Sequence, residues 1–183
     1  MDDLCGIDEA GRGPLAGPVA AAAVILPADF PVELLADSKR LTPARRDELE
    51  VLIVTRAVAW GIGWASHIEI DALNILRASH LAMRRALVAT GYPVRRVVVD
   101  GSIMPDLGVP GSALVRADAT VPAVMAASIL AKTARDRWMV HYATIEPRYE
   151  FARHKGYPTP LHARLIREFG PSAIHRHSFR TPG

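Results

Sequence analysis

The sequence LCGIDEAGRGPLAGPVAAAAVIL, residues 4 to 26, contains the pattern that decides the fold. It predicts two strands, Leu4 to Ala10 and Pro18 to Leu26, because each is a short apolar run of strand length. The glycines and prolines of the intervening turn GRGPLAG can continue neither strand. A turn this short favours an antiparallel pair, with the acidic residues Asp8 and Glu9 at the end of the first strand.

The rest of the chain alternates between helical and extended patterns. A capping box of Ser66 and Glu69 opens the clearest helix, whose apolar residues recur at helical spacing until Gly91. The other predicted elements are a helix from Pro43 to Thr55, strands from Arg56 to Ala65, Arg95 to Asp100 and Ser112 to Arg116, and helices from Val121 to Tyr142 and Pro160 to Phe169. This order predicts an α/β fold with a mixed five-stranded sheet flanked by helices and a helical C-terminal portion.

Length and composition predict one domain spanning residues 1–183. The chain has 183 residues, 50% of them hydrophobic and 22% charged, which suits a single core. A net charge of +3 is a mild basic bias, compatible with phosphate-rich ligands. The lone Cys5 excludes an intramolecular disulfide, and the longest uncharged apolar run, Val19 to Pro27, is far short of the roughly 20 residues that span a bilayer. We therefore expect a cytoplasmic protein with no membrane partner.

Four acidic residues stand at the ends of predicted elements: Asp8, Glu9, Asp100 and Asp118. Carboxylates gathered at one site repel one another unless cations lie between them. Hard oxygen ligands select Mg²⁺ or Mn²⁺, and such ions suit phosphoryl transfer. The pattern indicates a metal site, although Asp100-Gly101 alone could be an ordinary hairpin turn and Asp118 alone could help to start a helix. Adjacent charges ending an apolar strand, as at Asp8 and Glu9, are costly unless exposed or ligated.

The turn residues 11 to 16, GRGPLA, also match the loose dinucleotide-binding pattern GxGxxA. That interpretation requires a helix after Gly13, whereas Pro14, Gly17 and Pro18 interrupt any helix there. The backbone amides of such a turn could still bind a sugar or a phosphate.

Six motifs in order along nearly the whole chain resemble ribonuclease HII. They are GIDEAGRGPLAGPV (6 to 19), DSKRL (37 to 41), NILRASHLAM (74 to 83), VDG (99 to 101), AASILAKTARD (126 to 136) and HKGYPT (154 to 159). The sister family, ribonuclease HIII, has a different glycine loop and an additional N-terminal domain. The resemblance implies a ribonuclease H-like fold and a monomeric endonuclease that cuts the RNA strand of RNA/DNA hybrids and duplex DNA containing a single ribonucleotide.

The resemblance also implies roles for individual residues. Asp8, Glu9, Asp100 and Asp118 match the family carboxylates that bind two Mg²⁺ or Mn²⁺ ions, with Asp8 as our candidate for the bridging ligand. Gly11, Arg12 and Gly13 match the turn that contacts the ribose, and Tyr157 matches the tyrosine that stacks on the sugar beyond the cleavage site. Lys39 and Ser38 would hold backbone phosphates, and Lys155 would add positive potential near Tyr157.

Some positions depart from the family pattern or admit another interpretation. Arg116-Ala117 stands where many relatives have Lys-Gly, so the resemblance does not determine the backbone conformation before Asp118. Asp136 lies four residues after Lys132 on a predicted helix, which favours an ion pair over a metal ligand. His175 and His177 could bind zinc, but two ligands are too few, and a solvated, phosphate-facing role is the expectation. The alternative to an enzyme is a non-catalytic protein that binds hybrid duplexes through its basic surface.

Overall fold

The computed structural model describes residues 4–35 and 42–180, which form a mixed five-stranded sheet with helices on both faces. The strands are β1 (Leu4–Ala10), β2 (Val19–Ile25), β3 (Ala59–Ala65), β4 (Arg96–Asp100) and β5 (Gly111–Leu114). The helices are α1 (Pro43–Arg56), α2 (His67–Leu73), α3 (Ile75–Ala89), α4 (Pro122–Ile145), α5 (Phe151–His154) and α6 (Pro160–Phe169). Short 3₁₀ turns cover Val32–Leu35, Ala117–Ala119 and Pro147–Tyr149.

The strand order β3-β2-β1-β4-β5 places β1 at the centre of the sheet. β1 pairs antiparallel with β2, as predicted, and β2 pairs antiparallel with β3. β4 runs parallel to β1 and β5 runs parallel to β4. The chain therefore brings the carboxyl ends of β1 and β4 to the same edge of the sheet, side by side.

Apolar side chains cover both faces of the sheet. On one face Ile7, Ala21 and Val99 pack with the α3 side chains Ala82 and Ala86. On the other, Ala22 and Val24 pack with the α1 residues Leu49 and Ile53 and the α4 residues Ile129 and Leu130. A third cluster beyond the sheet unites the end of α4 with the C-terminal helices through Met139, Tyr149, Phe151 and Leu165.

Gly6 allows α4 to lie directly on β1. A Cβ at this position would lie 2.2 Å from the backbone carbonyl carbon of Ala123, so any larger residue would push the helix away from the sheet. This close approach places the first turns of α4 beside the end of β1, where Asp8 and Glu9 lie.

The structure corrects the predicted helix from Ser66 to Gly91. The capping box of Ser66 and Glu69 is present, but Asn74 has a positive φ of 70° with ψ of 164° and divides the helix into α2 and α3. The side chain of Asn74 caps α3 by accepting from the Arg77 N–H at 3.1 Å.

Other element boundaries moved by a few residues. α1 runs on through Arg56, so β3 begins at Ala59, and α4 continues past Tyr142 to Ile145. β5 ends at Leu114, two residues short of the prediction. The segment after Gly13 is a turn followed by β2, which rules out the helix that a dinucleotide-binding fingerprint requires. Among the described residues, no helix is long and apolar enough to cross a membrane.

Candidate active site

Three aspartates meet at the carboxyl ends of β1 and β4. Asp8, Asp100 and Asp118 each present a carboxylate oxygen, and these oxygens all lie within 4.8 Å of one another. The parallel pairing of β1 and β4 aligns the first two. Asp118 reaches them from the 3₁₀ turn Ala117–Ala119, and its backbone N–H donates to Asp100 Oδ1 at 3.4 Å. Arg116 permits this turn by adopting a left-handed backbone with φ of 62°.

Burial gives the aspartate cluster its electrostatic character. Asp8 and Asp118 are each 6% exposed. Burial, followed by the charges of Glu9 and Asp100, raises the pKa of Asp8 well above its ordinary value, against a lowering contribution from a hydrogen bond with Ser128. A site that holds several carboxylates in this way strongly favours a bound cation, because a cation removes both the desolvation cost and the repulsion.

Glu9 lies beside the aspartates but outside the group of three. Its Oε1 accepts from Arg12 Nη1 at 3.3 Å, and its Oε2 is buried with no hydrogen-bond partner among the described residues. Burial is the main cause that raises the pKa of Glu9; the charge of Arg12 acts in the opposite direction. An unsatisfied, buried carboxylate oxygen next to three aspartates is a suitable fourth oxygen donor.

The donors fit hard divalent cations. All members of the cluster are carboxylates, and no histidine or cysteine belongs to it. Mg²⁺ and Mn²⁺ prefer oxygen ligands of this kind, whereas zinc sites are rich in sulfur and imidazole. The described residues thus offer Asp8, Asp100 and Asp118, with Glu9 adjacent, for divalent-ion binding.

The glycine turn and Tyr157 form one wall of the neighbouring surface. Arg12 and Gly13 are exposed, and a Cβ on Gly13 would lie 3.8 Å from Cε1 of Tyr157. Tyr157 is 37% exposed, with Lys132 Nζ 5.4 Å from its ring centroid. Together with Glu9 and Gly11, Tyr157 and Lys132 line a cavity of about 290 Å³ beside the turn.

Two basic residues in this cavity were missed from the sequence: Arg46 of α1 and Lys132 of α4. Lys132 could have been found, because it lies four residues after Ser128 on the helix face that meets Asp8. Arg46 carries no local signal, since only the packing of α1 against α4 brings it here. As predicted, Asp136 forms an ion pair with Lys132, at 2.7 Å, and it also contacts Arg46 at 3.5 Å.

The remaining predicted contact residues lie apart from this cavity or outside the described structure. Lys155 is half-buried, contacts the carbonyl of Ala152, and lines a second cavity beside Arg46 and Asp136. Ser38 and Lys39 fall in the segment 36–41, outside the described residues.

The solvated role predicted for His175 is wrong. Its side chain is buried, with Nε2 3.1 Å from Nε2 of His162, and Nδ1 accepts from the Ser172 N–H at 2.7 Å. His177 is exposed, and its backbone N–H donates to Asp71 instead. His175 therefore packs against His162 of α6, whereas His177 lies in solvent.

Comparison with known proteins gives a consistent family match. A family model described as Ribonuclease HII matches residues 5–182. Proteins named Ribonuclease HII from Moorella thermoacetica and Laribacter hongkongensis are 52% and 53% identical over 177 and 178 residues. These alignments cover 97% and 96% of this chain, and 86% and 90% of the relatives.

Solved structures give the same result for the fold. Ribonuclease H2 from Pyrococcus horikoshii OT3 superposes with a TM-score of 0.78 at 25% identity, covering 97% of this chain and 94% of that one. Ribonuclease HII from Archaeoglobus fulgidus, solved in a complex with PCNA, gives a TM-score of 0.81 at 24% identity, covering 98% and 96%. A Bst-RNase HIII structure in complex with Mn²⁺ gives 0.75 at 17% identity, covering 97% and 67%.

Proposed function

This chain belongs to the ribonuclease HII family and is a metal-dependent endoribonuclease; from that premise we propose that it hydrolyses the RNA strand of RNA/DNA hybrids and cuts duplex DNA at single embedded ribonucleotides. The products would carry 3′-hydroxyl and 5′-phosphate ends. The observation that carries the proposal is the convergence of the Asp8, Asp100 and Asp118 carboxylate oxygens within 4.8 Å.

In the proposed mechanism the four carboxylates would hold two Mg²⁺ or Mn²⁺ ions, and Asp8 is our candidate for a ligand of both. Such ions would supply Lewis-acid chemistry for phosphodiester hydrolysis, activating a water and offsetting charge on the leaving 3′ oxygen. The chain's own part is to fix the carboxylate oxygens on rigid elements: Asp8 on β1, Asp100 on β4, and Asp118 on a turn bound to Asp100. The buried setting keeps bulk water from competing for these oxygens.

The proposed substrate contacts follow the cavity beside the turn. The exposed amides of the turn Gly11-Arg12-Gly13 would meet the ribose 2′-hydroxyl, the group that distinguishes RNA from DNA. The half-exposed ring of Tyr157 would stack on the next sugar, while Lys132 and Arg46 would face the phosphate between the two. Lys155, and Ser38 and Lys39 in the segment 36–41, would hold phosphates further along. The enzyme would act as a monomer.

A cleavage assay on matched duplexes tests this function. The substrates are a DNA duplex with one ribonucleotide, the same duplex without it, and an RNA/DNA hybrid, each incubated with Mg²⁺ or Mn²⁺ and then with EDTA. We expect a nick at the ribonucleotide and cleavage of the hybrid, both abolished by EDTA, and no cleavage of the all-DNA duplex.

An Asp100→Asn variant and an Asp29→Asn control separate the site from the surface. Asp29 is an exposed carboxylate that pairs with Arg56, so its loss should leave cleavage unchanged, whereas Asp100→Asn should abolish it. Binding of hybrids by wild-type protein without metal-dependent cleavage would instead identify a non-catalytic duplex-binding protein.

A further inference from the structure

Two buried arginines underlie the glycine turn and are held by hydrogen bonds to backbone carbonyls. Arg135 on α4 is 0% exposed and Arg176 near the C-terminus is 3% exposed. Within residues 4–35 and 42–180, neither forms an ion pair with a carboxylate. Burying a guanidinium without a counter-charge is costly, so the hydrogen bonds that these side chains make must be specific and well satisfied.

Nearly all of those hydrogen bonds go to backbone carbonyls of the turn between β1 and β2. Arg176 donates to Gly11 O at 2.7 Å, to Arg12 O at 3.1 Å and to Gly17 O at 3.0 Å. Arg135 donates to Ala16 O at 3.1 Å, and both arginines donate to Pro18 O, at 2.9 Å from Arg135 and 3.3 Å from Arg176. We call this arrangement the guanidinium clamp.

The clamp also connects the turn to Tyr157. Arg135 Nη1 donates to Lys155 O at 3.1 Å, and its guanidinium carbon lies 5.7 Å from the Tyr157 ring centroid. The Leu15 N–H reinforces the connection by donating to Gly156 O at 2.8 Å. Arg135 and this backbone hydrogen bond together connect the turn to the segment of Tyr157, the two parts of the proposed ribose site.

The direction of the clamped carbonyls fixes the direction of the amides. In a trans peptide the C=O and the following N–H point to opposite sides, and no cis peptide occurs among the described residues. With the carbonyls of Gly11 and Arg12 held inward by Arg176, the N–H groups of Arg12 and Gly13 point outward. In the described part of the chain these two N–H groups have no acceptor.

We propose that Arg135 and Arg176 are positioning residues for substrate recognition: by holding the turn carbonyls inward they present the Arg12 and Gly13 amides to the ribose 2′-hydroxyl. This inference rests on the proposed function, because it assigns the cause of the ribose contact made by the turn. Gly11 is part of the device, since a Cβ there would lie 2.1 Å from Arg135 Nε and its φ is +105°.

The substitution Arg176→Lys tests the clamp while keeping the positive charge. A lysine ammonium cannot reproduce the planar fork of donors that reaches several carbonyls at once. The measurement is binding, in EDTA, to two DNA duplexes that differ only in one 2′-hydroxyl. We expect the preference for the ribonucleotide duplex to fall about tenfold, as for one or two lost hydrogen bonds, with affinity for the all-DNA duplex within about twofold.

This ratio separates positioning from a general structural defect. A partly unfolded variant would lose affinity for both duplexes equally, leaving their ratio unchanged, and that result from folded Arg176→Lys would overturn the proposal. Arg153→Lys is the matched control, because Arg153 is exposed and, among the described residues, forms its ion pair with the nearby Glu150. Its ratio should equal that of the wild type.

Amide NMR of the turn tests the clamp independently of substrate recognition. In the wild type we expect order parameters near the rigid value of about 0.85 for Arg12 and Gly13, falling toward about 0.6 in Arg176→Lys. Equal mobility in the two proteins would overturn the clamp. If Arg176→Lys does not fold, Arg135→Lys takes its place. Mobile Arg12 and Gly13 amides in the wild type would by themselves overturn the clamp.

The two measurements also distinguish failure of the clamp from failure of the proposed function. A wild type that binds both duplexes equally contradicts ribose recognition by the turn, and with it the proposed role of the clamp in recognition. A wild type that prefers ribose, combined with a variant that keeps this preference, contradicts the clamp alone.

Discussion

Burial of the Asp8 carboxylate in the candidate active site affects the stability of the metal-free protein. Folding raises the pKa of Asp8 through burial and through the charges of Glu9 and Asp100. A carboxyl whose pKa is raised on folding stabilises the fold below its ordinary pKa, here 3.8, and this contribution disappears as the pH rises through the folded pKa. At neutral pH, well above the ordinary pKa, burial of Asp8 therefore destabilises the metal-free protein.

Asp8→Asn should separate these two effects. In EDTA at pH 7.5 we expect the melting temperature to rise by a few degrees, at about 2–4 °C per kcal/mol for a chain of this size. The cleavage rate should fall by at least about 1,000-fold, because the variant loses the carboxylate that we propose as a shared metal ligand. Circular dichroism and the ribonucleotide-cleavage assay measure the two quantities, with the exposed Asp29→Asn as control. A near-normal rate would contradict the bridging role.

Tyr157 allows the ring and the hydroxyl to be tested separately. The ring packs near Lys132 and Arg135, whereas no hydrogen bond from its hydroxyl to a described residue is present. Tyr157→Phe should keep near-normal cleavage, since the stacking surface remains, and Tyr157→Ala should lose about tenfold or more at an RNA-to-DNA junction. Comparison of kcat/KM on a junction and on a long hybrid is the measurement. An equal loss on both substrates would argue against a discriminating role.

At the level of elements, α5, α6 and the following tail are held together by neutral histidines. His162 Nδ1 contacts Tyr157 O at 3.0 Å, and His175 Nδ1 accepts from Ser172 N–H. These partners make His175 Nε2 the donor and His162 Nε2 the acceptor of the 3.1 Å bond that joins them. Protonation of either ring would place one N–H donor directly against another N–H donor, which removes a hydrogen bond.

This arrangement predicts acid sensitivity of the C-terminal helices. Burial is the main cause that lowers the pKa of both His162 and His175 from 6.5 to about 4. A base with a lowered folded pKa stabilises the fold above 6.5, and this stability is lost as the pH falls through about 4. The effect is worth up to roughly 3 kcal/mol for one histidine.

Near-UV circular dichroism between pH 7 and pH 4 measures that loss, with Trp138 as a nearby reporter. His175→Asn should be less stable at pH 7 and should show a flatter pH dependence. His177→Asn, at an exposed position, should follow the wild type. An unchanged pH profile in His175→Asn would contradict the histidine origin of the acid transition.

The break between α2 and α3 can be tested by substitution of Asn74. Asn74 has a positive φ and caps α3, so Asn74→Ala should cost about 1–2 kcal/mol through lost capping and backbone strain. Asn74→Gly should cost less, because glycine tolerates the positive φ. Urea unfolding of both variants makes the comparison. An alanine variant as stable as the glycine variant would show that the backbone there relaxes freely.

Asn74 also marks where prediction from sequence ends. Apolar residues recur at helical spacing on both sides of Asn74, so the sequence predicted helix in this region. The break between α2 and α3 was not predicted, because it depends on the backbone conformation of one residue. The mixed sheet and the antiparallel β1–β2 pair were predicted correctly, because turn residues and strand-length apolar runs are local signals.

The candidate site was likewise predicted only in part from the sequence. Acidic residues at element ends pointed to the aspartate cluster, since parallel strands align their carboxyl ends. Arg46, the buried His175 and the carbonyl partners of Arg135 and Arg176 depend on contacts between residues distant along the chain. No periodicity in the sequence records such contacts.

At the scale of the whole molecule, α4 connects the parts of the structure. Its first half packs on the sheet through Ile129 and Leu130, and its second half contributes Met139 to the C-terminal cluster. Both regions therefore depend on one helix of 24 residues. We propose on this ground that residues 1–183 fold as a single domain.

Cavity-forming substitutions in the two halves of α4 test that proposal. Ile129 is 1% exposed and Met139 is 0% exposed, so Ile129→Ala and Met139→Ala should each cost about 2–5 kcal/mol. In a single domain both variants lower the same unfolding midpoint, and far-UV circular dichroism and tryptophan fluorescence stay coincident, because neither region can keep α4 folded without the other. If Met139→Ala produced an early transition seen only in the fluorescence of Trp138, the C-terminal helices would be an independent unit, and the single-domain proposal would be wrong.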